Sequence, residues 1–189
     1  MTDGIKEKGQ SIIEVIASIG IFLIAVSVIL GLTVSNMTGQ KTNEFQVIAN
    51  NLAKEGVEVV RNIRDSNWLS GNNWDEGISD MILNENNEAI AIFNNGFLSL
   101  SLPVDDSLYL SELGIYNHNQ EGKLSPFSRR LTLDNICFNI ANKQEYIKEQ
   151  PCSMAGEIKI GIKIISQVRW SEKGREKILV LESLIYDWK

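Results

Sequence analysis

The chain has 189 residues, of which 43% are hydrophobic and 22% are charged, a composition typical of a folded protein and not of a disordered or collagen-like one. This length allows one apolar segment and one modest domain of about 120 to 150 residues. The net charge of −6 argues against nonspecific binding to nucleic acid or to an anionic membrane surface, because both need basic patches. We therefore expect no nucleic-acid partner.

The first predicted element is an apolar helix. Between Ile12 and Val34 the only charged residue is Glu14, and at about 1.5 Å per residue the stretch is roughly 34 Å long, enough to cross a hydrocarbon core of about 30 Å. It is too long for the apolar part of a signal peptide. Lys6 and Lys8 precede it and only Lys41 follows closely, which predicts a cytoplasmic N-terminus and a C-terminal domain outside.

The helix is expected to continue past Val34 with a different character. Apolar residues recur at spacings of three and four from Phe45 to Ile63, and charged or amide side chains occupy the positions between them. The pattern predicts an amphipathic helix to residue 66, followed by a loop at 70–73. Its apolar stripe needs a partner, which the remaining chain supplies.

From residue 67 onward the pattern indicates β-strands. Strands are predicted at 89–93 and 97–102 around a short turn with Gly96, at 127–140, and at 157–170, while 108–116 fits a short strand or a connector. The 157–170 strand has one apolar face that only Ser166 interrupts. A four-residue hairpin loop at 171–174 leads to a return strand at 175–186, whose two apolar faces predict a central position in the sheet.

The predicted fold class is therefore α+β, with a long N-terminal helix, half transmembrane and half amphipathic, packed on a C-terminal antiparallel β-sheet. The corresponding segments are residues 10–34 for the transmembrane helix, 35–66 for its amphipathic continuation, and 67–189 for the sheet domain.

Residues that could carry catalysis or hold a metal are sparse. The lone histidine, His118, lies in a polar run and is expected to be a solvated surface residue. Asp75-Glu76 and Asp105-Asp106 lack the alternating oxygen ligands of a calcium loop, so a role in turns is expected for both pairs. We expect no enzyme activity, no cofactor and no metal site.

Cys137 and Cys152 are the only cysteines. If the domain lies outside the cytoplasm, a disulfide between them would stabilise the fold by roughly 3 kcal/mol. The alternative is two unrelated thiols, since Cys137 lies in an apolar strand, where buried cysteine is common. The sequence leaves both interpretations open.

Two interpretations of Glu14 also remain. In the first, the carboxylate lies close enough to the end of the apolar run to reach the headgroups. In the second, it neutralises a positive charge within the membrane plane. That charge could be the free amino terminus of a neighbouring copy, if the chain were cut after the small residue Gly9.

This arrangement resembles the prepilin signal of type IV pilins and pseudopilins, which is a short basic leader ending in Gly and an apolar helix with Glu at the fifth place after the cut. Here Lys8-Gly9 precedes Gln10-Ser11-Ile12-Ile13-Glu14. The resemblance implies that a prepilin peptidase removes leader residues 1–9, cleaving between Gly9 and Gln10, and methylates Gln10. It also implies that Glu14 pairs with the N-terminus of an adjacent subunit. Gln10 departs from the Phe or Met that is usual at its position.

The same resemblance implies a minor pilin or pseudopilin, a structural subunit of a type IV pilus or a type II secretion-like filament. Its partners would be prepilin peptidase, other pilin subunits and an inner-membrane assembly platform. It would lie in the cytoplasmic membrane before assembly and in a cell-surface or periplasmic filament afterwards. The alternatives are a membrane-anchored binding domain that the helix only tethers, and an anchored hydrolase, against which the missing nucleophile and base argue.

Overall fold

A computed structural model describes residues 12–82, 86–94, 97–120 and 122–188. The chain is α+β, a long N-terminal helix followed by an antiparallel β-sheet. The helices are α1 (Ile12–Ser70) and α2 (Ser79–Ile82). The strands are β1 (Glu88–Asn94), β2 (Phe97–Ser101), β3 (Ser107–Leu110), β4 (Tyr116–Asn117), β5 (Lys123–Asn139), β6 (Gln144–Lys148), β7 (Glu157–Glu172) and β8 (Arg175–Tyr186).

The chain divides into one unit that ends at Phe45 and a second that begins at Gln46. The first contains the apolar part of α1. The second contains the remainder of α1 together with α2 and the whole sheet. The amphipathic part of α1 therefore belongs with the sheet that it covers.

Helix α1 ends at Ser70, about one turn beyond the predicted end at residue 66. Gly71 has a positive φ of 75°, and its amide donates to the Trp68 carbonyl, while the next amide reaches back to residue 67. This is the usual glycine-based end of a helix. The Trp68 ring also packs edge-on against Trp188, with 5.1 Å between the ring centroids, and this long-range contact explains the extra turn.

Strand β5 is the centre of the sheet. On one side β7 pairs with it along most of its length, from Phe127 opposite Trp170 to Asn139 opposite Glu157. On the other side β3, β1 and β6 pair with it in succession. All of these pairings are antiparallel. Strand β5 pairs directly with β1, β3, β6 and β7, while β2, β4 and β8 pair with β1, β3 and β7, respectively.

Helix α1 lies very close to the sheet at Gly56. A Cβ atom at this position would lie 2.7 Å from the Ser166 Oγ and 2.8 Å from the Leu131 Cδ2. Gly56 therefore lets the helix backbone rest on β5 and β7. Ser166, the exception in the apolar face of β7, is fully buried beneath this point, where a larger side chain would push the helix away.

The predicted strands correspond to β1, β2, β5, β7 and β8, but three details of the prediction are wrong. Strand β8 pairs only with β7 among the described strands and is an edge strand, not a central one. Its outward side chains Ile178 and Val180 are 54% and 52% exposed. The hairpin before β8 has two residues, Lys173 and Gly174, both with positive φ, because such turns match the twist of the paired strands. Strand β6 and helix α2 were not predicted.

His118 is buried, with only 8% of its surface exposed, so its predicted place as a solvated residue is wrong. Its Nδ1 atom lies 3.1 Å from the Ser107 carbonyl oxygen. Burial lowers the pKa of His118 to about 4, and the positive charge of Arg129 acts in the same direction. The neutral imidazole is therefore the form that the folded domain accommodates.

We expect the Gly56→Ala variant to unfold more easily than the parent, by about 1 to 2 kcal/mol, because the added methyl group overpacks two fully buried side chains. This runs against intrinsic helix propensity, which favours Ala over Gly by about 1 kcal/mol. Gly39→Ala is the matched control, since a Cβ there meets nothing within 4 Å. Thermal unfolding followed by circular dichroism measures both variants, and equal shifts of Tm would contradict the close approach.

We also expect a pH dependence that traces to His118. The pKa of His118 is about 4 in the folded chain, whereas the ordinary value of 6.5 applies to the unfolded chain. The unfolded chain therefore binds the proton first as the pH falls. The free energy of unfolding should then decrease between about pH 6.5 and 4, by at most about 1.4 kcal/mol per pH unit. Denaturant titrations of the parent and of His118→Gln isolate this contribution, because the carboxylates titrate in both. Parallel pH profiles would show that His118 does not contribute.

Candidate functional site

The part of α1 from Ile12 to Val34 is the most unusual surface of the chain. Its large apolar side chains are mostly 44% to 79% exposed, and Glu14 lies among them in the first turn of the described helix. Within the described residues, α1 is the helix that is long and apolar enough to cross a membrane. Apart from Glu14, the segment is apolar around the whole circumference of the helix.

The free energy of removing its apolar side chains from water indicates that this segment needs an apolar environment. More than a dozen large apolar side chains are exposed between Ile12 and Val34. At about 1.5 to 3 kcal/mol for each side chain removed from water, burying them would contribute roughly 20 kcal/mol or more. That exceeds the total stability of about 5 to 15 kcal/mol of a typical domain. Lipid tails or the apolar helices of other chains would supply such an environment.

The hydroxyl groups within the segment are already satisfied. Ser18, Ser27 and Thr33 each donate to the carbonyl oxygen four residues earlier, at distances of 2.7, 2.8 and 2.9 Å. A hydroxyl that bonds its own helix can enter an apolar medium without an unpaired donor. These hydrogen bonds could have been predicted from the sequence, since isolated Ser and Thr in an otherwise apolar helix usually donate to the backbone of the preceding turn.

Glu14 is the exception. It is the only ionisable residue between Ile12 and Val34, and its carboxylate has no partner among the described residues. Most of its neighbours in the described helix are apolar side chains, and the Ser18 hydroxyl donates to the Glu14 backbone carbonyl instead of the carboxylate. A carboxylate at the centre of a membrane helix costs about 2.5 to 3.5 kcal/mol on insertion scales, and less near the interface. Any positive charge that pairs with Glu14 must come from outside the described residues.

The proposed cleavage junction between Gly9 and Gln10 lies outside the described residues. Cleavage there and methylation of Gln10 therefore stay predictions. The separation along the chain is nevertheless short, since Gln10 precedes Glu14 by four residues in the sequence.

Cys137 and Cys152 are joined by a disulfide, with 5.7 Å between their Cα atoms. Cys137 is fully buried in β5, and Cys152 lies in the segment that follows β6. The bond ties this segment to the central strand. Closing a loop of this length stabilises a fold by roughly 3 kcal/mol in chain-entropy estimates.

Asp75, one of the acidic residues considered for a cation, is held in an ion pair. The Lys159 Nζ lies 2.7 Å from its Oδ2 atom. Burial of Asp75 opposes its ionisation, but the hydrogen bonds from Lys159 and Ser79 outweigh it and lower the pKa of Asp75. The pair fastens the segment before α2 to β7, which is a structural task.

Asp105 and Asp106 have separate structural roles. Asp105 Oδ1 accepts the Ser107 amide at 2.9 Å, a turn-forming contact that lowers the pKa of Asp105. Asp106 Oδ2 accepts one hydrogen bond from the Arg130 Nε, at 3.2 Å, and another from the Arg169 Nη2. Asp106 thus links the segment before β3 to β5 and β7. Within the part of the chain that the structure describes, no three His, Cys, Asp or Glu side chains are grouped to hold a metal ion.

Comparisons of the chain with protein-family models, with curated proteins and with solved structures find no match.

Proposed function

We propose that this protein is a structural subunit of a filament of the type IV pilus or type II secretion class, a minor pilin or pseudopilin. A prepilin peptidase cleaves it between Gly9 and Gln10, and the N-terminal helix then assembles with those of other subunits. The observation that carries the proposal is Glu14, a single carboxylate in an exposed apolar helix, without a partner among the described residues and at the fifth place after a Lys-Gly junction.

A simple membrane tether does not account for Glu14. A tether needs only length and apolarity, and a carboxylate inside the apolar run makes insertion less favourable. A filament subunit has a use for it, because cleavage after Gly9 creates an amino group that can pair with Glu14 of a neighbouring copy. An ion pair of this kind in a medium of low dielectric constant is strong enough to select one register between helices.

The exposed apolar surface supports the same proposal. Lipid surrounds the segment before assembly, and the apolar helices of other subunits replace lipid afterwards, so that its environment stays apolar throughout. The sheet domain carries its own core and packs on the amphipathic part of α1, with Val57, Val60 and Leu131 among the buried residues. In the proposed filament the domain faces outward, and an inner-membrane platform moves the subunit out of the bilayer.

We expect the mature protein to begin at Gln10. N-terminal sequencing, or the intact mass of protein purified from membranes, measures the start, and the Gly9→Leu variant should retain residues 1–9 because its side chain blocks the cut site. Unprocessed Met1 in the parent, in cells with an active prepilin peptidase, would contradict the proposal and favour the tethered binding domain.

We expect Glu14→Ala to be cleaved normally but to be lost from filaments, by roughly tenfold or more, since the pairing charge is missing. The measurement is the ratio of the protein in sheared filaments to that in the membrane fraction. Glu44→Ala is the matched control, an exposed glutamate of the same helix outside the apolar segment, and should assemble like the parent. Equal recovery of Glu14→Ala and the parent in filaments would remove the charge-pairing argument.

A further inference from the structure

A cavity of about 680 Å³ lies at the edge of the sheet, beside the gap between β1 and β6, which both pair with the same edge of β5. Strand β1 pairs with β5 at Leu131 and Thr132, and β6 begins to pair at Asn135. The edge of β5 between them is left without a strand, and the cavity lies beside it. Volumes of this size are typical of sites for small ligands.

The wall of the cavity is fixed by three separate links. The Asn87 Nδ2 donates to the Glu149 carbonyl oxygen at 2.6 Å, and the Asn135 Nδ2 donates to the Gln150 carbonyl oxygen at 3.1 Å. The disulfide of Cys152 holds the end of the same segment. A wall that is ordered before a ligand arrives has less conformational entropy to lose on binding.

Asp134 lines this cavity and is only 9% exposed. Its Oδ1 accepts one long hydrogen bond, 3.3 Å from the Asn87 Nδ2, and its Oδ2 accepts none from a described residue. A carboxylate that is nine-tenths buried normally has several donors, because an unpaired buried charge is costly. The Asp134 Oδ2 therefore lacks a hydrogen-bond donor, and a ligand in the cavity can supply one.

The charges around the cavity define the missing donor. Glu88 is already neutralised, since the Arg130 Nη1 lies 2.9 Å from both of its carboxylate oxygens. Asp134 and Glu149 form no ion pair with a described residue, so the lining keeps a negative charge. Apolar surface lies beside them, from Ile82, Pro151 and Ile165.

We propose that this cavity binds an organic cation, a guanidinium or ammonium group on an aliphatic stem. The cationic head donates to the Asp134 Oδ2 and lies near Glu149, while the stem packs on Ile165 and Pro151. A bare metal ion fits less well, because it would leave the apolar wall uncovered. The proposal concerns the sheet domain alone and goes beyond filament assembly. It can therefore fail while the proposed function stands.

The test uses the full-length protein in detergent micelles and isothermal titration calorimetry. The probe is N-acetyl-arginine amide, and N-acetyl-citrulline amide is its neutral isostere. We expect the arginine probe to bind at least tenfold more tightly, and its affinity to fall as salt is added. Agmatine has the same guanidinium head without peptide groups and a second ammonium group, so propylguanidine, which lacks that ammonium, is titrated beside it, and the two together separate the sources of the cation. Equal or tighter binding of agmatine indicates a free amine, and weaker binding indicates a basic side chain of another protein.

Two variants test the assignment. Asp134→Asn should weaken the arginine probe roughly ten- to a hundredfold, because a charge-assisted hydrogen bond is lost. Glu149→Gln should weaken binding of the arginine probe severalfold. No described contact involves the Glu149 side chain, so the Glu149→Gln variant should fold like the parent even if Asp134→Asn does not fold. Glu112→Gln removes the same charge from an exposed position away from the cavity and should bind like the parent. Equal affinity for the arginine and citrulline probes, or parental affinity in Glu149→Gln and in any folded Asp134→Asn, would overturn the proposal.

Discussion

The close approach of α1 to the sheet at Gly56 is the contact on which the domain depends. The helix backbone rests on Leu131 of β5 and Ser166 of β7, and both side chains are fully buried. Just before this point, the buried Arg129 donates to the Leu52 carbonyl oxygen at 3.2 Å and pairs with Glu55 at 3.1 Å. A guanidinium buried in this way needs such partners, because an unpaired charge there would cost several kcal/mol. The packing at Gly56 and the two polar contacts of Arg129 therefore fix the same stretch of helix, although the Arg129 Nε and the Ser166 Oγ are buried without a hydrogen-bond partner among the described residues.

The distribution of apolar side chains around α1 differs between its N-terminal and C-terminal parts. Up to Val34 its side chains are apolar on all sides, and its hydroxyls return to its own backbone. After Gln46 the helix has one buried stripe and one solvated face, as a surface helix of a soluble domain does. The sheet domain has its own buried core, while the large apolar side chains of the segment are mostly exposed and need an apolar environment. The proposed function assigns that environment first to lipid and then to neighbouring subunits.

The periodicity of the sequence was sufficient to predict the helix, the main strands and the α+β class, because each of these depends on residues close together in the chain. What it could not predict depends on distant partners. The last turn of α1 rests on the contact between Trp68 and Trp188, and the burial of His118 rests on the fold of β3 around it. Strand β8 shows a subtler limit, since apolar residues on both faces occur in central strands and also in edge strands whose outer face is exposed. The cavity beside Asp134 arises from the topology of β5, which no local pattern encodes.

Two positions in α1, Gly56 and Glu14, act through different physical interactions. Gly56 acts through van der Waals contact inside the folded domain, so its substitution changes stability wherever the protein resides. The Glu14 carboxylate forms no hydrogen bond or ion pair with a described residue, so its substitution breaks no polar contact of that side chain within the described part of the chain. A carboxylate without a partner among the described residues, in a segment too apolar to remain in water, needs a partner that those residues do not supply. That asymmetry favours a function carried out between copies of the chain, and it leaves the sheet domain free to serve a separate binding role.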